Sequence, residues 1–173
     1  RMLALRAPMS GVFEMAWFDR YRLRRRFEVV PWADVTDEML TRLKQDDAET
    51  GWIAEDLRPW TFSSLRLETA SSVGILLDDA LVGWVINHAL DERSVRTSCG
   101  FMRPDLSRRA RILPVLSESL RRARDAGFER WLFTVPVHHR EMVRFTRRWC
   151  APHASFLGET RSTSKRFVAV AAA

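Results

Sequence analysis

From Ser71 the pattern along the chain changes to period two, the signature of strands. The stretch "SSVGILLDDALVGWVINHAL" predicts a hairpin turning at Asp78-Asp79, with Val82, Trp84, Ile86 and His88 on one face. After a turn at "DERS", "VRTSCGFM" predicts a third strand carrying Val95, Thr97, Cys99 and Phe101 on one side. The spacing then changes to three and four. Ile112, Leu113, Leu116, Leu120 and Ala123 predict a helix from about Ser107 to Ala126, with Gly127 at its C-cap. "ERWLFTVPV" predicts a further strand, "REMVRFTRRW" a short helix, and "HASFLGETRSTSKRFVAV" a closing hairpin or strand pair.

Upstream, "FEVVPWADV" predicts a short strand and "TDEMLTRLKQDDAE" a helix capped by Thr36 or Asp37. "LRPWTFSSLRLETA" reads as a second helical piece. "MAWFDRYRLRRRF" has helical apolar spacing and a strongly basic end. It is expected to be a docked N-terminal helix, or else an arm for an acidic carrier domain, a membrane surface or nucleic acid. The order predicts a mixed α/β architecture, with a mostly antiparallel central sheet, one parallel β-α-β unit and flanking helices. The expected organisation is a helical arm over residues 1–26 and one domain over residues 27–173.

Composition narrows the partners. At 173 residues the chain is long enough to bury a sizeable core, and seven tryptophans argue for a folded chain. The start "RMLALRAPMSGVF" lacks a sustained signal-peptide core, and no stretch approaches the apolar length of a transmembrane helix. Two cysteines, Cys99 and Cys150, are too few for a disulfide framework or a common zinc site, so a reducing cytoplasm is the expected location and no metal is expected. A net charge of +6 points to an anionic partner without naming it. The basic residues fall on several elements without an RNA-binding aromatic motif or a recognition helix, so no specific nucleic acid is expected.

One stretch, "FMRPDLSRRARILPVL", leads from a strand through a proline and an arginine cluster into a helix start. Unpaired N–H groups at a helix N-terminus attract a diphosphate, and Arg108, Arg109 and Arg111 would add charge-assisted bonds. In its strand–loop–helix the chain resembles the GNAT acyltransferase superfamily, over roughly residues 27–167. The family's V-x-P-x-x-Q/R-x-x-G-x-G/A aligns with Met102, Arg103 and Pro104, then Ser107, Arg108, Arg109, Ala110, Arg111 and Ile112. "RARDAGFERWLFTV" resembles the family's next helix end and strand. Ala110 and Ile112 depart from the small residues that a close phosphate approach favours.

The resemblance implies an N-acyltransferase that moves an acyl group from acetyl-CoA, another acyl-CoA or a carrier protein's phosphopantetheine thioester to a small-molecule or peptide amine. An acyl carrier protein is a further expected partner. It also implies a cofactor site at Phe101, Met102, Arg103, Ser107, Arg108, Arg109, Ala110, Arg111 and Ile112. The family's asparagine and tyrosine positions fall on His139 and Thr146, and threonine is a far poorer acid than a phenol. His138 and His139 are the alternative proton carriers, since imidazole is the side chain ordinarily suited to general acid–base work. No acid stands on "SVRTSCGFMR", where the family often has a glutamate base. These departures equally suit an inactive GNAT-like binding module within a larger protein. Trp32, Trp52 and Trp60 either shape an apolar acceptor pocket or pack the core.

Overall fold

The computed structural model describes residues 1–62, 65–106 and 112–161. Seven strands form one mixed sheet: β1 (Met2–Pro8), β2 (Phe27–Pro31), β3 (Val73–Leu77), β4 (Ala80–Asp91), β5 (Ser94–Met102), β6 (Arg130–Pro136) and β7 (Phe156–Thr160). Their spatial order is β2-β3-β4-β5-β6-β1-β7. Every neighbouring pair is antiparallel except β5 and β6, which run parallel. The helices are α1 (Met9–Phe13), α2 (Asp37–Thr50), α3 (Ile112–Asp125) and α4 (Arg140–Phe145). The expected mixed sheet with its single β-α-β unit is therefore present, with α3 as the crossover. No described helix is long and apolar enough to cross a membrane.

Local chemistry accounts for the element boundaries. Asp78 and Asp79 both take positive φ (51° and 64°), the left-handed pair that a two-residue hairpin turn requires. Thr36 caps α2, its hydroxyl accepting from the Met39 amide at 3.2 Å, and Gly51 ends that helix at φ 64°. Gly127 ends α3 at φ 94°. The Phe128 amide reaches back to the Ala123 carbonyl and the Gly127 amide to that of Arg124, the paired bonds of a Schellman stop.

The sheet buries both faces. On one, α1 and α3 cover a core containing Val73, Ile75, Val82, Val85, Val95, Leu116, Leu120 and Trp131. On the other, α2 and two 3₁₀ turns, Glu55–Leu57 and Pro59–Thr61, cover Leu76, Leu81, Trp84, Ile86 and Cys99. Two register shifts decide which residue faces which core. Ile75 pairs with Gly83 but Leu76 pairs with Leu81, so Val82 is an extra residue and joins the first core, while Trp84 and Ile86 join the second. Likewise Ile86 pairs with Cys99 and Asn87 with Thr97, leaving Ser98 extra. The single faces expected on β4 and β5 are thus each split by a bulge.

Three segments differ from expectation. No helix forms over residues 15–27. Successive three-residue turns close there, Asp19 takes φ 57°, and five arginines crowd residues 20–26, where a helix would stack like charges. Residues 2–8, inside the stretch expected to be a helical arm, form β1 between β6 and β7 and bury Leu3, Leu5 and Ala7. The segment around Pro59 makes two 3₁₀ turns rather than a helix, with Arg66 at φ 60° and residues 63–64 outside the described part. At the C-terminus β7 is a single described strand paired with β1, and residues 162–173 lie outside the described part.

Candidate functional site

The parallel pair β5 and β6 is joined only from Ser94↔Arg130 to Thr97↔Phe133. Beyond that point each strand has, among the described residues, a ladder partner on its outer side alone. Residues 99–102 pair with β4, and Thr134, Val135 and Pro136 pair with β1. The two strands part, and their facing edges share no ladder. Ser98, the bulged residue, stands where the parting begins. Open backbone edges inside a sheet require partners, so the cleft is a ready site for an extended ligand carrying amides.

The walls of the cleft are specific. Gly100 is exposed on its β5 edge, and the nearest atom that an added Cβ would meet is Ile112 Cγ1 at 4.0 Å. The half-buried first residue of α3 therefore lies across the cleft wall from the one position without a side chain. Phe101 turns away and stacks on Trp52, centroids 5.7 Å apart at 17°, with Trp84 at 5.2 Å. Met102 is buried in the first core. The Arg103 guanidinium pairs with Asp105 (Nε to Oδ1 2.8 Å), and the Arg103 amide donates to the Val82 carbonyl. From Phe101 to Arg103 the side chains are thus committed elsewhere, and so is the Arg103 amide. Ser107, Arg108, Arg109, Ala110 and Arg111 lie outside the described residues.

At the root of the cleft sits a polar network that the sequence patterning did not reveal. Thr97 Oγ1 accepts from Trp131 Nε1 (2.9 Å) and donates to Asn87 Oδ1 (2.9 Å). Asn87 Nδ2 donates to Ser119 Oγ (2.8 Å) and to Ser71. All five residues are buried. The network ties β4, β5, β6 and α3 together at the last paired rung, which fixes where the strands begin to diverge. Asn87 amid the apolar run "GWVINHAL" was its only signal in the sequence.

The residues at the family's catalytic positions are placed as follows. His139 is exposed at the N-cap of α4, its ring 4.5 Å from that of His138. Thr146 is buried, and its hydroxyl donates to the Met142 carbonyl at 2.8 Å, opening a π-helical turn (Thr146–Cys150). Burial pushes both thiols, Cys99 and Cys150, up to about 12, so neither is a thiolate at neutral pH. Tyr21 is exposed in a loop, close to Arg20. Trp84 fills the second core, with Trp32, Trp52 and Trp60 packed against it. Trp52 Nε1 donates to Asp46 and Trp84 Nε1 to the Leu57 carbonyl. Among the described residues no group of His, Cys, Asp and Glu is placed to hold a metal.

No family model matches the chain, and no curated protein matches it. Among solved structures it is similar to a GCN5-related N-acetyltransferase from Kribbella flavida, at 11% identity over 76% of this chain and 47% of that one, with a TM-score of 0.48. It is also similar to the C-terminal domain of a candidate lysylphosphatidylglycerol synthetase from Agrobacterium fabrum (14% identity, 76% and 47% covered, TM-score 0.46). A third is a functionally unknown conserved protein from Staphylococcus epidermidis (9% identity, 83% and 54% covered, TM-score 0.42). The chain spans about half the length of the structures it matches. Likeness at this level is one of outline and carries no argument about activity.

Proposed function

We propose that the chain is an acyltransferase that takes an acyl group from a CoA or carrier-bound phosphopantetheine thioester and gives it to an amine. The observation that carries this reading is the parting of β5 and β6 after Thr97, beside an exposed Gly100 and the start of α3. A pantetheine arm is extended and carries two amides, so it can lie between the two free edges as a short added strand. Residues 107–111, leading into α3, are the proposed cradle of the diphosphate, with Arg108, Arg109 and Arg111 supplying charge.

In this reading catalysis comes chiefly from placement. A neutral amine attacks the thioester carbonyl, the C–S bond breaks, and the amine proton reaches the departing sulfur. Main-chain amides near Phe101 or Met102 steady the developing oxyanion. His139, exposed just past the end of β6, is the proposed proton carrier. Thr146 is a positioning residue, because its hydroxyl is already committed to the Met142 carbonyl. That same commitment favours a second reading, a module that binds the thioester without turnover.

Calorimetric titration of the protein with acetyl-CoA, longer acyl-CoAs and a loaded carrier protein tests both. Binding that Gly100→Val abolishes while the variant keeps its melting temperature supports the cleft. Absence of heat with every donor sinks both readings. Binding with no acyl transfer to a panel of amines selects the inactive module.

A further inference from the structure

Beyond the cleft, the segment that follows β6 concentrates charge in one place. Arg140, Arg144, Arg147 and Arg148, with Val137 and Val143 as an apolar floor, line a single groove of about 510 Å³. The spacing of four, then three and four, keeps the arginines on one side of α4 and the π-helical turn that extends it. At 1.5 Å per residue Arg140 and Arg144 stand about 6 Å apart along the axis, and the stripe is roughly 12 Å long.

These arginines differ from the many in the fold that hold a carboxylate. They share that difference with Arg20, Arg22, Arg24 and Arg25 of the loop after α1, which form no ion pair among the described residues. Elsewhere Arg26, Arg42, Arg58, Arg93, Arg103 and Arg130 each meet a carboxylate, as do the three arginines near the end of α3. Among the described residues only Arg147 of the groove does, reaching Glu159 at 3.9 Å, while Arg148 lies over the Trp149 ring. Arg140 and Arg144 form no ion pair among the described residues. Four guanidiniums held this close repel one another, and a partner that brings negative charge relieves that repulsion.

We propose that this groove binds the phosphodiester backbone of a nucleic-acid strand without regard to sequence. A linear row of forks at regular steps suits a polymer with an anion at every repeat, and guanidinium matches phosphate oxygens two at a time. An anionic membrane fits less well, because surface-binding helices also present large apolar side chains to the lipid. Of the exposed large apolar residues Tyr21, Leu65, Met142, Phe156 and Leu157, Met142 alone is on α4, and none lines the groove. An acidic protein fits less well too, because the groove offers two valines and no aromatic anchor, whereas protein interfaces concentrate their energy in such anchors. Nucleic-acid interfaces are the class that is both polar and strongly positive.

The test is fluorescence anisotropy of a labelled random-sequence 12-nucleotide DNA strand, titrated with the full chain over a range of salt. Four phosphate contacts predict a slope of log affinity against log salt near about −3, and Arg140→Gln with Arg144→Gln reduces that slope by about 1.4. Arg42→Gln with Arg93→Gln removes the same charge from paired sites and is expected to leave the slope within about 0.3 of the parent. All four side chains are exposed or line an open groove, and thermal melts verify that both variants fold. Equal slopes for the two double variants overturn the proposal. So does arginine-dependent binding of polyglutamate, or of vesicles of three parts phosphatidylcholine to one of phosphatidylglycerol, with none of the DNA strand.

Discussion

Replacing Thr97 with valine keeps the shape of the side chain and removes one hydroxyl. That hydroxyl is the acceptor for Trp131 Nε1 and the donor to Asn87 Oδ1, both at 2.9 Å, and all three residues are at most 2% exposed. Valine satisfies neither group, and both Trp131 and Asn87 are 0% exposed. An orphaned buried polar group costs about 1–3 kcal/mol, so the two together cost about 2–6 kcal/mol. Against a total stability of about 5–15 kcal/mol this is a large fraction. For a chain of this length the melting temperature falls by about 5–20 °C. Thr97→Ser keeps the hydroxyl, loses one methyl and costs about 1 kcal/mol. Urea unfolding followed by tryptophan fluorescence measures both variants. A Thr97→Val variant within about 0.5 kcal/mol of the parent, or a Thr97→Ser variant as unstable as Thr97→Val, refutes the orphaning of these two groups. Because Thr97 forms the last rung joining β5 to β6, Thr97→Val is also expected to weaken acyl-CoA binding where Thr97→Ser does not.

Gly83→Ala places a Cβ 2.6 Å from Ile75 Cδ1 and 2.7 Å from the Phe101 carbonyl oxygen, and the second is backbone that cannot swing aside. A loss of about 2–3 kcal/mol, read by thermal melting, is expected there. Both thiols sit near 12 in the folded chain against an ordinary value of 9.0, so the fold favours their protonated form. The stability this contributes is complete below about pH 9 and is lost as pH rises from there toward 12. Alkylation at pH 8 is accordingly expected to run about a thousandfold slower on the folded chain than in urea, counted by mass spectrometry. Rapid labelling of both cysteines without unfolding would contradict their burial.

The two proposals touch neighbouring parts of one end of the sheet. β6 supplies one edge of the cleft and then runs through Val137 into the helix that carries the arginine stripe. Their tests are separable. Gly100→Val fills the cleft and leaves the groove intact, while Arg140→Gln with Arg144→Gln does the reverse.

Local rules read correctly wherever the deciding forces lie within a few residues. The Asp78-Asp79 turn, the Thr36 cap and the Gly127 stop each depend on one residue's φ or one side-chain oxygen, and each stands as the pattern predicts. The mixed sheet and its parallel unit followed from the order of periodicities, because a helix between two strands of one sheet leaves few ways to connect them. What lay beyond local reach was set by partners distant in sequence. Residues 2–8 carry a readable alternation at Leu3, Leu5 and Ala7. Their place between β6 and β7 depends on edges about 130 and 155 residues away. The bulges at Val82 and Ser98 arise from cross-strand register, so Val82, Trp84 and Ile86, one face by period-two counting, are divided between two cores. The cleft, the Thr97 network and the arginine groove are likewise products of assembly. Each needs several elements, or several turns of one helix, to meet before its chemistry exists.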